Sequence, residues 1–192
     1  MTHFTYPRFI DFEASGLSED SYPIEVAWNG EGGSVESYLI KVQDIEEWTH
    51  WDPHAETDAH QISLESLDAL GDPPAVVAKR MNEALKGETL YSDAIQFDQF
   101  WLNRLFEAVN MEPTFTLASA IEVFDQIIAN EHKTNGTSEF VQLERFDIVV
   151  DTYGLQAWKN IELRPHRSNH DVLHLMETYR LLKEAGGKLQ NG

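Results

Sequence analysis

Cysteine is absent from the 192 residues, which excludes disulfide bonds, thiolate metal sites and cysteine nucleophiles. Long apolar runs are missing too, since no stretch approaches the roughly 18 uninterrupted apolar residues that a membrane-spanning helix needs. The first residues lack the basic start and long apolar core of a secretory leader. We therefore expect a cytoplasmic protein, and the chain is long enough to bury its own hydrophobic core.

Basic residues are scarce, because 14 Lys and Arg stand against 33 Asp and Glu, for a net charge of −19. Nucleic acid is itself strongly negative, so this charge argues against a protein that binds a long duplex tightly or reads its sequence. The charge does not exclude an enzyme that holds only a chain end through bound metal ions, since cations reverse the sign of the local field.

No Pro/Gly-rich linker, internal repeat or low-complexity stretch divides the chain. We therefore expect a single domain over residues 1–192, with a flexible tail from about residue 186. Segments 48–60 and 130–140 have the composition of loops.

Hydrophobic periodicity predicts the regular elements. Strands are predicted at 7–12, 22–28, 35–42 and 89–92, the first three forming an antiparallel meander. Helices are predicted at 74–85, 97–109 and from about 172 until Gly186-Gly187 ends the last one. This order of strands and helices indicates an α/β fold with a mixed sheet flanked by helices.

Asp11 and Glu13 close the first predicted strand. Residues two apart on a strand point to the same face, so the two carboxylates would lie side by side. Such a pair repels unless something compensates, and a hard divalent cation is the compensation that carboxylate oxygens favour. The alternative is a strand that ends in solvent, with both acids hydrated.

The run FIDFEASGLSEDSYPIEVAW resembles the first motif of the DEDDh (DnaQ-like) 3′–5′ exonucleases, which belong to the ribonuclease H-like superfamily. That motif combines Asp-x-Glu, a small residue or Thr, Gly-Leu, and a second strand containing Ile-Glu. Ala14 departs from the commoner Thr. By this resemblance the terminal nucleotide would contact Phe12, Ala14, Gly16 and Leu17, and Leu17 would wedge against the last base.

The run TLYSDAIQFDQFWL resembles the second motif of this family. Phe-Asp at 97–98, followed by Trp-Leu at 101–102, takes the motif's position, so Asp98 is the third candidate carboxylate. The family often has His or Asn a few residues earlier, where this chain has Ser-Asp, and Asp93 therefore remains a competitor. Taken alone, Asp98 is equally a first-turn residue that the helix dipole favours.

The run PHRSNHDVLHL resembles the third motif, His-x-x-x-x-Asp, which is the signature of the DEDDh branch. His166 and Asp171 are the matching residues. The other branch has Tyr four residues before the Asp, and that position here is Arg167. Without the resemblance, Ser168 and Asp171 also fit a capping box at the start of a helix.

The resemblance implies a ribonuclease H-like fold and a role for each candidate. Asp11, Glu13, Asp98 and Asp171 would hold two divalent metal ions, Mg²⁺ or Mn²⁺, which are hard cations that suit carboxylate oxygens. His166 would be the general base, because an imidazole titrates near neutral pH. The expected reaction is 3′-to-5′ hydrolysis of single-stranded or short nucleic acid to nucleoside monophosphates.

Several alternatives stay open from the sequence. The substrate is RNA or DNA, since no sequence feature separates the two sugars. The fold could also be a binding module with reduced catalysis, or a two-metal phosphohydrolase acting on mononucleotides. Many relatives are dimers, which makes a homodimer a further alternative. His50 and His54 suggest a zinc site only weakly, because Pro53 interrupts the segment and no third ligand is evident.

Overall fold

The computed structural model describes residues 4–30, 32–132 and 139–189. In this part of the chain the strands are β1 Ile10–Ala14, β2 Pro23–Asn29, β3 Val35–Leu39, β4 Thr89–Ser92 and β5 Thr116–Ser119. The α-helices are α1 Leu64–Leu70, α2 Pro74–Ala84, α3 Ile95–Ala108, α4 Ala120–His132, α5 Glu139–Ile161 and α6 Ser168–Leu189.

The sheet is mixed, as the sequence predicts. β1, β2 and β3 form the predicted antiparallel meander, and β4 and β5 pair in parallel. A parallel bridge between Phe9 and Tyr91 sets β4 beside the start of β1, which gives the order β3–β2–β1–β4–β5. In the register of β1 and β2, Glu13 lies directly opposite Glu25.

Helices cover both faces of this sheet. All seven residues of β2 are buried. On one face Trp28 packs in a core with Met81 of α2 and Leu105 of α3, and on the other Ala27 packs with Phe124 of α4. Truncating a side chain such as Leu105 to alanine in this core is expected to cost about 2–5 kcal/mol.

Local signals explain where some elements begin. Ser63 caps α1 by accepting a hydrogen bond from the backbone N–H of Ser66 at 3.1 Å, which satisfies one of the free donors of the first turn. Pro74 occupies the first turn of α2, where its missing N–H costs nothing. Gly33 has a φ of +81° in the turn between β2 and β3, a backbone conformation that suits glycine.

Three sequence predictions about loops and ends are wrong. Ala55–His60, inside the segment predicted as a loop, forms a π-helix. The loop predicted at 130–140 is too long, because α4 continues to His132 and α5 already begins at Glu139. Residues 133–138 between these helices lie outside the described residues. α6 continues through Gly186-Gly187 to Leu189, because an interior glycine weakens a helix by only about 1 kcal/mol.

No helix among the described residues is long and apolar enough to cross a membrane.

Candidate active site

Strand β1 presents its two acids on the face of the sheet that α6 covers. Ile10, Phe12 and Ala14 belong to the core shared with α2 and α3, so the alternation of the strand directs Asp11 and Glu13 to the opposite side. Both acids lie within the strand rather than beyond its end, and Asp11 is only 8% exposed. The alternative of two hydrated acids on a strand end therefore does not apply to Asp11.

Asp171 joins this pair from the first turn of α6. Ligand oxygens of Asp11, Glu13 and Asp171 all lie within 4.8 Å of one another, close enough to share a metal ion. Within the described ranges no other group of three or more His, Asp or Glu residues meets this condition, so the zinc alternative at His50 and His54 has no support there.

Asp98 lines the same cavity from the first turn of α3 but lies outside this group of three. Its side chain is 1% exposed, and its Oδ2 atom accepts a hydrogen bond from the hydroxyl of Ser92. The Oδ1 atom is buried and has no hydrogen-bond partner among the described residues. Asp93, the competitor, lines the cavity as an exposed residue.

The four carboxylates strongly resist ionisation together. Burial, followed by repulsion from Asp98 and Asp171, raises the pKa of Asp11 well above its usual value. Burial raises the pKa of Glu13 to about 8 and that of Asp98 to about 8, and it raises the pKa of Asp171 to about 7. In each case desolvation of the charged form is the largest cause, and neighbouring acids add to it.

His166 stands at the rim of this cavity, exposed, in the loop before α6. Its φ of +65° is a left-handed conformation that costs a non-glycine residue of the order of 1–3 kcal/mol and persists only where the surrounding structure imposes it. A hydrogen bond fixes the next residue of this loop, since the backbone N–H of Arg167 donates to Oδ2 of Asp171 at 3.0 Å. The structure thus brings the predicted base to the predicted acids.

The cavity has a volume of about 480 Å³, and all four residues predicted to contact a terminal nucleotide line it. Phe12, Ala14 and Gly16 are buried, whereas Leu17 is 74% exposed at the mouth. Phe97 is stacked on Trp101 at 5.6 Å between ring centroids and adds a half-exposed aromatic surface to the wall. A base and a sugar would therefore meet apolar walls beside the acids.

His60 lies in the segment predicted as a loop and was not predicted as a site residue. The side chain is 1% exposed and lines the cavity. Its Nδ1 accepts a hydrogen bond from the backbone N–H of Ile62 at 3.0 Å, and its Nε2 is buried without a partner in the part of the chain that the structure describes. Burial lowers the pKa of His60, so the ring is neutral and its proton resides on Nε2. The result is a buried N–H donor at the cavity that lacks an acceptor.

The donor set suits hard divalent cations. Asp11, Glu13 and Asp171 offer a group of carboxylate oxygens, and the buried Oδ1 of Asp98 accepts no hydrogen bond from the described residues. A cation would supply the missing partner and favour the ionised forms that burial opposes. Carboxylate oxygens are the ligands that Mg²⁺ and Mn²⁺ prefer, so these residues fit the predicted metals.

Comparison with known proteins finds fold relatives alone. No family model and no curated protein matches the chain. Among solved structures, E. coli exonuclease I in complex with a dT13 oligonucleotide aligns with a TM-score of 0.62 and 16% identity, over 96% of this chain and 42% of that one. A product-bound exonuclease I aligns with a TM-score of 0.59 and 14% identity, over 96% and 44%.

The zinc-bound complex of E. coli exonuclease I with single-stranded DNA gives a TM-score of 0.58 at 15% identity, over 96% of this chain and 41% of that one. The chain therefore spans less than half the length of the exonuclease I structures that it matches. At such low identity the likeness concerns the fold, and it confirms the predicted mixed α/β architecture: this chain has the ribonuclease H-like fold of exonuclease I.

Proposed function

We propose that this protein is a metal-dependent 3′–5′ exonuclease of the DEDDh type, which shortens single-stranded or short nucleic acid to nucleoside monophosphates. The observation that carries the proposal is the meeting of Asp11, Glu13 and Asp171 in one cavity, with Asp98 and His166 at its wall and rim. Three separate stretches of sequence supply these residues, and the fold unites them.

The fold relatives support the proposal without deciding it. Exonuclease I was solved with a dT13 oligonucleotide, with single-stranded DNA and with product. The fold that this chain shares with exonuclease I is thus compatible with single-stranded substrates. Nothing in the described part of the chain supports the homodimer, and the proposal concerns a single chain.

In this mechanism each residue has a defined task. When bound by Asp11, Glu13, Asp98 and Asp171, two Mg²⁺ or Mn²⁺ ions would stabilise the charge that develops on the attacking and leaving oxygens of the phosphodiester. The imidazole of His166 takes the proton of the attacking water, because its place at the exposed rim leaves it accessible.

The walls of the cavity position the substrate. Phe12 and Leu17 contact the terminal nucleotide through apolar surface, and the Nε2–H of His60 donates to an oxygen of that nucleotide. This hydrogen bond would give the buried Nε2–H of His60 an acceptor, and a buried donor without an acceptor costs free energy. Orientation by these contacts is what places the scissile phosphate beside the acids.

The charge of the cavity wall favours short or loosely held substrates. No lysine or arginine is among the described residues that line it. Phosphates inside the cavity would therefore meet no cationic side chain among these residues, and the net charge of −19 would repel a long strand. We expect comparable rates on a dinucleotide and a 30-mer, and a strong preference for the longer strand would contradict this specificity.

The proposal is tested by incubating the protein with 5′-labelled single-stranded RNA and DNA of equal sequence, with Mn²⁺ or with EDTA. We expect a metal-dependent ladder that shortens from the 3′ end and is absent in Asp11→Ala, and the faster ladder identifies the preferred sugar. Metal binding without cleavage would instead identify a binding module. Release of phosphate from mononucleotides, without cleavage of either strand, would identify a phosphohydrolase.

A further inference from the structure

A half-buried ion pair connects strand β2 to the loop that carries His166. Glu25 has a side chain that is 1% exposed, and Arg167 approaches it from a side chain that is 30% exposed. The guanidinium donates two parallel hydrogen bonds to the carboxylate, from Nη2 to Oε1 at 2.6 Å and from Nε to Oε2 at 3.0 Å, and we call this bidentate contact the fork. This planar, two-bond geometry is specific to arginine.

The same carboxylate also holds the backbone beyond the arginine. The N–H of Ser168 donates to Oε2 of Glu25 at 3.0 Å, and the hydroxyl of Ser37 donates to Oε1 at 3.3 Å. Glu25 therefore fixes both a side chain and a main-chain group in the short stretch between His166 and Asp171. Glu25 thus joins the start of α6 to β2 through hydrogen bonds.

Stability alone is a poor explanation for this pair. Every residue of β2 is buried, and Glu25 stands between Ile24 and Val26 in its middle. Burying the charge of Glu25 costs free energy that the attraction of a partly exposed arginine only offsets, so an apolar pair of similar volume would often stabilise the fold equally well. A fork that joins two chain segments instead specifies geometry.

The geometry that it specifies is that of the candidate site. Glu25 lies opposite Glu13 in the register of the two strands, so the fork lies next to the acids of β1. The backbone N–H of Arg167 donates to Oδ2 of Asp171 at 3.0 Å, and His166 immediately precedes the arginine with its left-handed φ of +65°. Movement of Arg167 would therefore also move His166 and Asp171.

We propose that Glu25 and Arg167 are a positioning pair, which sets the places of His166 and Asp171 relative to the acids of β1. The part that concerns His166 rests on the proposed function. The part that concerns Asp171 does not, because binding of Mn²⁺ reports the arrangement of the carboxylates without any reaction.

The first test is Arg167→Lys, which keeps the positive charge and loses the fork. We expect the affinity for Mn²⁺, measured by calorimetry on the whole chain without nucleic acid, to fall roughly ten- to hundred-fold, as for other residues that orient metal ligands. The kcat on an oligonucleotide should fall with it, while KM stays close to that of the wild type. Unchanged Mn²⁺ affinity and kcat would overturn the proposal.

The second test separates position from stability with the double variant Glu25→Leu/Arg167→Met. Apolar side chains replace both charges, so we expect a thermal midpoint near that of the wild type with weakened Mn²⁺ affinity and low kcat. A stable double variant with wild-type affinity and kcat would show a purely structural pair and refute the idea. If this variant does not fold, Arg167→Lys decides alone.

Asp72→Asn is the matched control. It breaks a partly exposed pair with Arg80, and Asp72 does not line the candidate site, so Mn²⁺ affinity and kcat should stay unchanged. If the wild-type protein binds Mn²⁺ but cleaves no nucleic acid, the proposed function is wrong. The Mn²⁺ affinities of the variants would still test whether the pair positions Asp171. Wild-type protein that neither binds Mn²⁺ nor cleaves would overturn both.

Discussion

Ser92, the last residue of β4, donates its hydroxyl hydrogen to the carboxylate of Asp98 in the first turn of α3, and both side chains are buried. The bond leaves only Oδ1 of Asp98 without a partner among the described residues. A serine that sits six residues before the acid thus fixes which of its oxygens remains available to a cation.

Replacing Ser92 by alanine should loosen this orientation. We expect Mn²⁺ affinity to fall roughly tenfold, because partners of metal ligands commonly contribute this much. The measurement is a calorimetric titration of the two proteins. Thr152→Ala, which removes a hydroxyl bonded to the carbonyl of Ile148 on an exposed face of α5, should leave the affinity as it is. Equal losses in both variants would contradict the role given to Ser92.

Without metal, the fold should become less stable as the pH rises. Burial raises the pKa of Glu13 and of Asp98 to about 8 and that of Asp171 to about 7, whereas acids in an unfolded chain titrate near ~4. Between these values the folded state binds more protons than the unfolded state, so the free energy of unfolding falls with rising pH. Below about pH 4 the acids are protonated in both states, and no loss is expected there.

Thermal unfolding in EDTA at about pH 5 and about pH 8.5 measures this dependence. The midpoint should be lower at the higher pH, and Mg²⁺ or Mn²⁺ should raise it more there, because only ionised carboxylates bind metal well. Asp171→Asn should flatten the dependence, since one of the raised groups is gone. A midpoint in EDTA that rises toward alkaline pH would contradict the electrostatic description of the site.

His60 should matter for substrate binding more than for folding. His60→Asn keeps an oxygen that can accept from the N–H of Ile62 but removes the buried Nε2–H donor, so we expect KM for an oligonucleotide to rise several-fold with a smaller change in kcat. His54→Asn is the control, because His54 lies in the same segment with its side chain 89% exposed. Equal KM values for both variants and the wild type would remove His60 from the substrate contacts.

Leu17 and Leu70 form a matched pair of exposed leucines, at 74% and 73% exposure, of which only Leu17 lines the cavity. Neither Leu→Ala variant should lower the thermal midpoint, because little apolar surface is buried at either position. Leu17→Ala should weaken binding of a single-stranded oligonucleotide to an inactive Asp11→Asn background, measured by fluorescence anisotropy. Equal binding by both variants would refute the predicted wedge.

Periodicity and motif spacing predicted the parts of this fold that local sequence controls. The meander, strand 89–92 and the helices that became α2 and α3 are confirmed, with boundaries shifted by a few residues. The mixed sheet is confirmed as well, because an alternating order of elements leaves few arrangements of layers. The assignment of catalytic and metal-binding roles stays a prediction.

Tertiary contacts account for what the sequence did not reveal. The π-helix at Ala55–His60 has a proline at its entrance and reads as a loop, yet Arg164 donates to the carbonyls of Ala59 and His60 from a distant segment. The fork between Glu25 and Arg167 joins residues 142 positions apart, which no local pattern encodes.

Metal-dependent cleavage from the 3′ end is measured directly with a single-stranded oligonucleotide labelled on its 3′-terminal nucleotide, by identifying the first product released in Mn²⁺ from the wild type and from Asp11→Asn. We expect that labelled nucleoside monophosphate appears from the start, that EDTA stops its release, and that Asp11→Asn releases none. Label that stays in longer fragments, or release that Asp11→Asn carries out at the wild-type rate, would contradict this expectation.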